Sequence, residues 1–243
     1  MSTHRLTPTG GTAIVTGASR GYGLAVAAEL ARRGWSLVID ARTRPELEDA
    51  ARELRGLGVG EVTAIAGDVT DPAHTRHIVD SALEIGDLSL LVNNAGILGP
   101  SPQPRLADYP LEILGQVVDV YLLASLRLIQ LVLPHLRGQG GVVVNVTSDA
   151  AVEAYEGWGG YGAAKAALEQ MSKVLAVEEP EVAVYSLDPG DMRTRMHQEA
   201  FPDEDISDRP LPETRAPALI RLLESAPPSG RYTAEDLLAW IPA

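Results

Sequence analysis

The chain has 243 residues and no cysteine, which excludes disulfides, thiolate metal ligands and thiol nucleophiles. A formal charge of −13, with 33 acidic residues against 20 basic ones, argues against a nucleic-acid partner, because binding a phosphate backbone requires clustered Lys and Arg. A hydrophobic fraction of 45% and a mean hydropathy of +0.02 fit one soluble globular domain, expected to be cytoplasmic, with no metal site and no membrane span.

The opening MSTHRLTPTG lacks the apolar core of a secretory signal and reads as a flexible lead-in over 1–10 to a single domain over 11–243. A strand at Ala13–Thr16 runs into a glycine-rich turn and a helix over Tyr22–Arg33. There follow a strand at Ser36–Asp40, a helix over Pro45–Arg55 and a strand at Val62–Ala66. The next helix, Pro72–Ile85, begins with polar residues, so His74 and His77 are expected to be solvated. A strand at Leu88–Val92, a long apolar helix over Leu111–Leu136 and strands at Val142–Val146 and Val182–Ser186 continue the βαβ rhythm. The acidic, proline-rich stretch after Met196 reads equally as a mobile substrate flap at about 191–212 or as a plain surface connection. A helix over Ala216–Ser225 and a short SGRYT strand close the pattern. Runs such as AIVT and GVVVNV are apolar without alternation, as parallel strands covered on both faces must be. The expected fold is a doubly wound parallel α/β sheet of Rossmann type in three layers, α/β/α, with ligands at the carboxyl ends of the strands.

Two constellations carry chemistry. Gly17, Gly21 and Gly23 lie between a strand and a helix, where glycine lets the backbone approach a pyrophosphate at a helix N-terminus; a plain structural turn is the alternative. Tyr161 and Lys165 are four residues apart, on one face of a helix, where an ammonium favours the phenolate and is expected to lower the tyrosine pKa toward the range of a general acid or base. Tyr155, a rival, has Gly159 four residues on and no cationic partner.

Taken in order, the motifs resemble those of the short-chain dehydrogenase/reductase family: TGASRGYG at Thr16–Gly23, Asp68-Val69, NNAG at Asn93–Gly96, and Ser148 thirteen residues before Tyr161 in a Tyr-x-x-x-Lys pair. Pro189-Gly190 with Thr194 resembles the family's turn beside the nicotinamide. The resemblance implies an oxidoreductase that interconverts a small-molecule carbonyl and an alcohol. Tyr161 would exchange the proton, Ser148 would orient the substrate oxygen, and Lys165 would hold the nicotinamide ribose. Gly17, Ser19, Arg20, Gly21, Tyr22 and Gly23 would cradle the dinucleotide, Asp68 and Val69 would bracket the adenine, and Asn93, Asn94, Ala95 and Gly96 would line the cleft and steady the central sheet. Pro189, Gly190, Met192 and Thr194 would flank the nicotinamide, with Thr194 on its carboxamide.

Ala41 falls where NAD-using relatives carry an aspartate and Arg42 where a 2′-phosphate is bound, and Arg20 adds a second basic group; NADP(H) is therefore expected. A shift of one residue would give Asp40 to the ribose and favour NAD(H). In the long helix the family commonly carries an asparagine that supports a water chain to the lysine; here the sequence reads Val120-Tyr121-Leu122, which puts that relay in question. Leu98, Trp158, Met192 and Met196, with Arg193 and Arg195 nearby, are the expected substrate pocket. The long helix and the helix of Tyr161 would pair subunits into a homodimer or homotetramer. Two alternatives stand beside a reductase: a cofactor sensor without turnover, and an epimerase or dehydratase using the same hydride machinery.

Overall fold

The computed structural model describes residues 10–58 and 60–239, so the expected lead-in falls almost wholly outside the described residues. Seven strands form one parallel sheet: β1 (Thr12–Val15), β2 (Ser36–Ala41), β3 (Val62–Ala66), β4 (Leu88–Asn93), β5 (Val142–Val146), β6 (Ala183–Asp188) and β7 (Gly230–Thr233). Their order is β3-β2-β1-β4-β5-β6-β7, so the winding reverses between β1 and β4. A crevice opens at that reversal because the two following loops depart to opposite faces.

The period of two along each strand divides the core. Ala13, Val15, Leu37, Ile39, Val142 and Val144 face α1 (Gly21–Arg32), α2 (Arg44–Arg55) and two later helices, α9 (Pro217–Ser225) and α10 (Ala234–Ala239). Ile14, Val38, Leu91, Val143 and Val184 face α3 (Pro72–Ile85), α5 (Ser125–Leu136) and α6 (Gly159–Glu178). Local chemistry sets the helix starts. Asp71 caps α3 by accepting from the Ala73 N–H at 2.8 Å, and Pro72 sits in the first turn, where its missing donor costs nothing.

The long apolar helix comprises α4 (Leu111–Val118), a π-helical turn at Asp119–Ala124, and α5. By length and composition alone Leu111–Leu136 could cross a membrane, contrary to the expectation that no segment would. Its composition has a local cause: Leu128, Ile129, Val132, Leu133 and Leu136 fill the core beneath the sheet, each contributing about 1.5–3 kcal/mol by burial. The acidic segment after Thr194 also holds more structure than its pattern suggests, in α7 (Arg195–Ala200) and α8 (Pro212–Arg215).

Candidate dinucleotide and catalytic site

The loops after β1 to β6 surround one cavity of about 820 Å³. Its wall brings together Gly17, Ser19, Arg20, Gly21, Tyr22 and Gly23, then Ala41, Arg42, Asp68 and Val69, then Asn94, Ala95 and Gly96. Ser148, Tyr161 and Lys165 stand at its other end with Pro189, Gly190, Met192 and Thr194. Of the two parts the resemblance gives Asn93, lining the cleft and steadying the central sheet, the structure gives it the second. It is buried and donates to Asn145 Oδ1 at 2.8 Å, and Asn145 donates to Ser172 Oγ at 2.8 Å, so it ties β4 to β5 and α6 beneath the cleft.

The glycine turn is drawn close to the turn after β4. Thr16 Oγ1 accepts from the N–H groups of Asn94 and Ala95, both at 2.9 Å, and Asn94 Nδ2 donates back to the carbonyls of Thr16 and Gly17 at 2.8 and 3.2 Å. A Cβ on Gly23 would overlap the Asn94 amide and lie 2.6 Å from the Gly17 carbonyl oxygen, so only glycine fits. Thr16 was legible as the first letter of TGASRGYG, yet its role as the clasp across the strand reversal needs the sheet order.

His74 departs from expectation, and its partner is Asp40. Asp40 points inward: its carboxylate accepts from the Gly17 N–H at 2.9 Å and meets His74 Nε2 at 3.2 Å, and both side chains are buried. Burial pushes the Asp40 carboxyl above its ordinary range, partly opposed by the hydrogen bonds from His74 and Gly17. His74 is thus a buried partner of the glycine turn and not a solvated residue, while His77 is exposed as expected. Ala41 and Arg42 follow at the strand end, with Arg42 exposed. Arg20 forms an ion pair with Glu46 at 3.0 Å, both about half exposed, which makes it a weak and displaceable pair.

The groove fits a nicotinamide dinucleotide on three observations. The backbone comes to the surface at the glycine turn, α1 presents its N-terminus there with no acidic residue in its first turn, and Tyr22 carries a buried hydroxyl with no partner among the described residues.

At the candidate catalytic end, Ser148 follows β5 and starts a short 3-10 turn, Asp149–Ala151. Its hydroxyl donates to Asp149 Oδ1 at 2.9 Å and accepts from the Ala150 N–H at 3.3 Å. Tyr155 donates to the other Asp149 oxygen at 3.0 Å, so the rival tyrosine braces a carboxylate beside Ser148. Tyr161 is buried between Tyr121 and Trp158, each ring edge-on with centroids 5.5 Å away. Lys165 Nζ donates to the Val146 carbonyl at 2.7 Å.

The electrostatics here reverse one expectation. Burial raises the Tyr161 phenol above its ordinary pKa; the hydroxyls of Ser148 and Tyr121 oppose that rise, and Asp188 and Asp149 add to it. Lys165 is itself brought down to about 7 by burial, against the pull of Asp188 and Glu169. With the ammonium this far desolvated, dehydration of the pocket outweighs the charge effect read from the four-residue spacing. Glu169 and Asp188 are in turn clamped by Arg231 of β7, at 3.0 and 2.7 Å, and Thr147 donates to Glu169 at 2.8 Å.

The substrate end is apolar, walled by Leu98, Trp158, Met192, Met196 and, unforeseen in the sequence, Phe201 and His197. Arg193 and Arg195 border it but are engaged locally, Arg193 with the Ser207 carbonyl and Arg195 with Glu199 at 2.8 Å.

A family model described as short chain dehydrogenase matches residues 11–205. A short chain dehydrogenase of Penicillium thymicola is 35% identical over 174 residues, 69% of this chain and 63% of its own length, so the chain spans under two thirds of that relative. Dehydrogenase/reductase SDR family member 4 of Caenorhabditis elegans is 31% identical over 221 residues, 88% of this chain and 83% of that one. Among solved structures, an alcohol dehydrogenase from the archaeon Thermococcus sibiricus, complexed with 5-hydroxy-NADP, superposes with a TM-score of 0.83 at 30% identity, covering 92% of this chain and 95% of that one.

Proposed function

The chain belongs to the short-chain dehydrogenase/reductase family, and on that premise we propose that it interconverts a carbonyl and an alcohol with NADP(H), using Tyr161 as general acid and base. The observation that carries this reading is the meeting of Ser148, Tyr161 and Lys165 at one end of a groove whose other end is the glycine turn. A bound nicotinamide supplies or accepts the hydride. Ser148 orients the substrate oxygen, and Tyr161 gives it a proton in reduction or takes one in oxidation. Lys165 holds the nicotinamide ribose and supports the charge that Tyr161 acquires. Trp158, Phe201 and Met196 keep water from the reacting carbon and suit an apolar or ring-bearing substrate.

Preference for NADP is supported by the exposed Arg42 at the end of β2, by Arg20 nearby, and by the burial of Asp40 against Gly17 and His74, which keeps its carboxylate from a ribose. A homodimer or homotetramer is supported by exposed apolar residues on α4 and α6, including Leu111 and Val177. The test is oxidation of NADPH and NADH against a panel of ketones and aldehydes, with Tyr161→Phe as control. Turnover that prefers NADPH and vanishes in the variant supports the proposal; cofactor binding without turnover on any compound moves weight to a sensing role.

A further inference from the structure

The structure gives Tyr121 two contacts with the pair read as catalytic, one to each member. Lys165 Nζ lies 4.0 Å from the centroid of the Tyr121 ring, nearer than the 5.6 Å that separates it from the Tyr161 ring. The Tyr121 and Tyr161 rings meet edge to face, 5.5 Å apart at 86°. The Tyr121 hydroxyl donates to the Ile97 carbonyl at 2.9 Å, and its nearness to Tyr161 acts to lower the Tyr161 phenol against the rise that burial causes. The surroundings are shaped to this side chain. A Cβ on Gly96 would overlap the Tyr121 hydroxyl and lie 2.7 Å from its ring, and Tyr121 itself belongs to the π-helical turn Asp119–Ala124 and is 2% exposed. Such turns recur at functional sites because they widen a helix to redirect one side chain.

We propose that Tyr121 is a positioning residue: its ring face holds the Lys165 ammonium by cation–π attraction, and its hydroxyl turns from Ile97 to donate to Tyr161 when that residue becomes a phenolate. The ring offers attraction without bringing in solvent, which suits an ammonium already removed from water. The hydroxyl has one proton and two lone pairs, so it serves Ile97 in the resting protein and the phenolate oxygen once charge develops there. The titratable and charged groups facing Lys165 are Tyr161 and Glu169 from α6, Asp188 from the end of β6, and Tyr121; Arg231 fixes both carboxylates, so they stay in place when position 121 is changed.

This inference rests on the reading of Tyr161 and Lys165 as a catalytic pair, and its first test needs no substrate. Lysine occurs twice in the chain, at Lys165 and at the exposed Lys173, so protein labelled with 13C-lysine gives two ε-methylene signals, one of them an internal reference. In the wild type the Lys165 signal is expected upfield of Lys173, shifted by the ring current of Tyr121; coincident signals would overturn the cation–π contact without any variant. On titration, Tyr121→Leu is expected to lose the ring shift and lower the Lys165 midpoint by about one pH unit, whereas Tyr121→Phe keeps both. An unchanged midpoint in a folded Tyr121→Leu protein, with Lys173 unmoved, contradicts the role of the ring. Tyr121→Phe tests the hydroxyl: kcat is expected to fall about tenfold with its basic-side dependence on Tyr161 displaced upward and cofactor affinity unchanged. A wild-type pH profile in that variant removes the hydroxyl from the proposal. Absence of turnover in every protein, with the lysine signals as expected, would instead count against the oxidoreductase reading.

Discussion

At the glycine-turn end of the groove, the grip is made of backbone and short polar side chains: Thr16 and Asn94 lace two turns together, and Asp40 fastens Gly17 from below. At the Tyr161 end it is made of large side chains, with Tyr121 and Trp158 each meeting Tyr161 edge to face and Lys165 Nζ 4.0 Å from the Tyr121 ring centroid. The first arrangement tolerates no added volume, because short side chains bond directly to main chain there and leave no space for a Cβ at Gly23. The second is sensitive to water and charge, because its attractions hold their strength only when desolvated. One groove therefore has two modes of failure.

That contrast can be broken most forcefully at Tyr161. Tyr161→Phe keeps the ring and removes the proton, so turnover is expected to fall about a thousandfold while NADPH binding, followed by fluorescence, persists. Equal loss of both would mean that the aromatic stack also shapes the dinucleotide groove. At the other end, Gly23→Ala forces a methyl against the Gly17 carbonyl and the Asn94 amide. It is expected to lose about 1–3 kcal/mol of stability in calorimetry, together with cofactor affinity; a neutral substitution would show the clasp to be loose.

The charge side of the contrast is sharpened by pH. Lys165 has a folded pKa near 7 against an ordinary 10.5, so below pH 7 both the folded and the unfolded chain carry its proton and the cost of burying the charge is full. Between about pH 7 and 10 the unfolded chain holds a proton that the folded protein has shed, and stability rises by up to about 1.4 kcal/mol per pH unit. Cofactor-free Lys165→Met should therefore be more stable than wild type at pH 7, with the gap narrowing toward pH 10 in thermal melts. A constant gap would mean that the ammonium is better solvated than its burial implies. The smallest effect is expected at the exposed arginines, where Arg42→Ala should weaken NADPH by about tenfold or less and leave NADH unchanged in binding titrations.

Glycines and β-branched runs carry the first region in the sequence itself, since they state what the backbone must do. The helices and strands could therefore be read to within a few residues, although β6 ends at Asp188, two residues beyond the expected Ser186, and Asn93 steadies the sheet without lining the cleft. The second region depends on which side chains meet across distant elements. Tyr121 was visible as a departure, but nothing in Val120-Tyr121-Leu122 announces a π-helical turn that lays its ring on Lys165. His74 was misread for the same reason: a polar helix start gives no hint of a buried carboxylate 34 residues earlier. The spacing of Tyr161 and Lys165 was right, yet the sign of the phenol's shift was not, because desolvation is a property of the assembled pocket.

Arg231 lies on β7, the last strand among the described residues, yet it neutralises Glu169 and Asp188, both of which face Lys165. A chain that stops at Ser225 has Ser148, Tyr161 and Lys165 but lacks the guanidinium that pairs with the nearly buried Glu169 and Asp188 at 3.0 and 2.7 Å. Maturation of the site thus waits for β7, and a truncation after Ser225 should leave a protein that folds its first six strands but protects Lys165 poorly in hydrogen exchange.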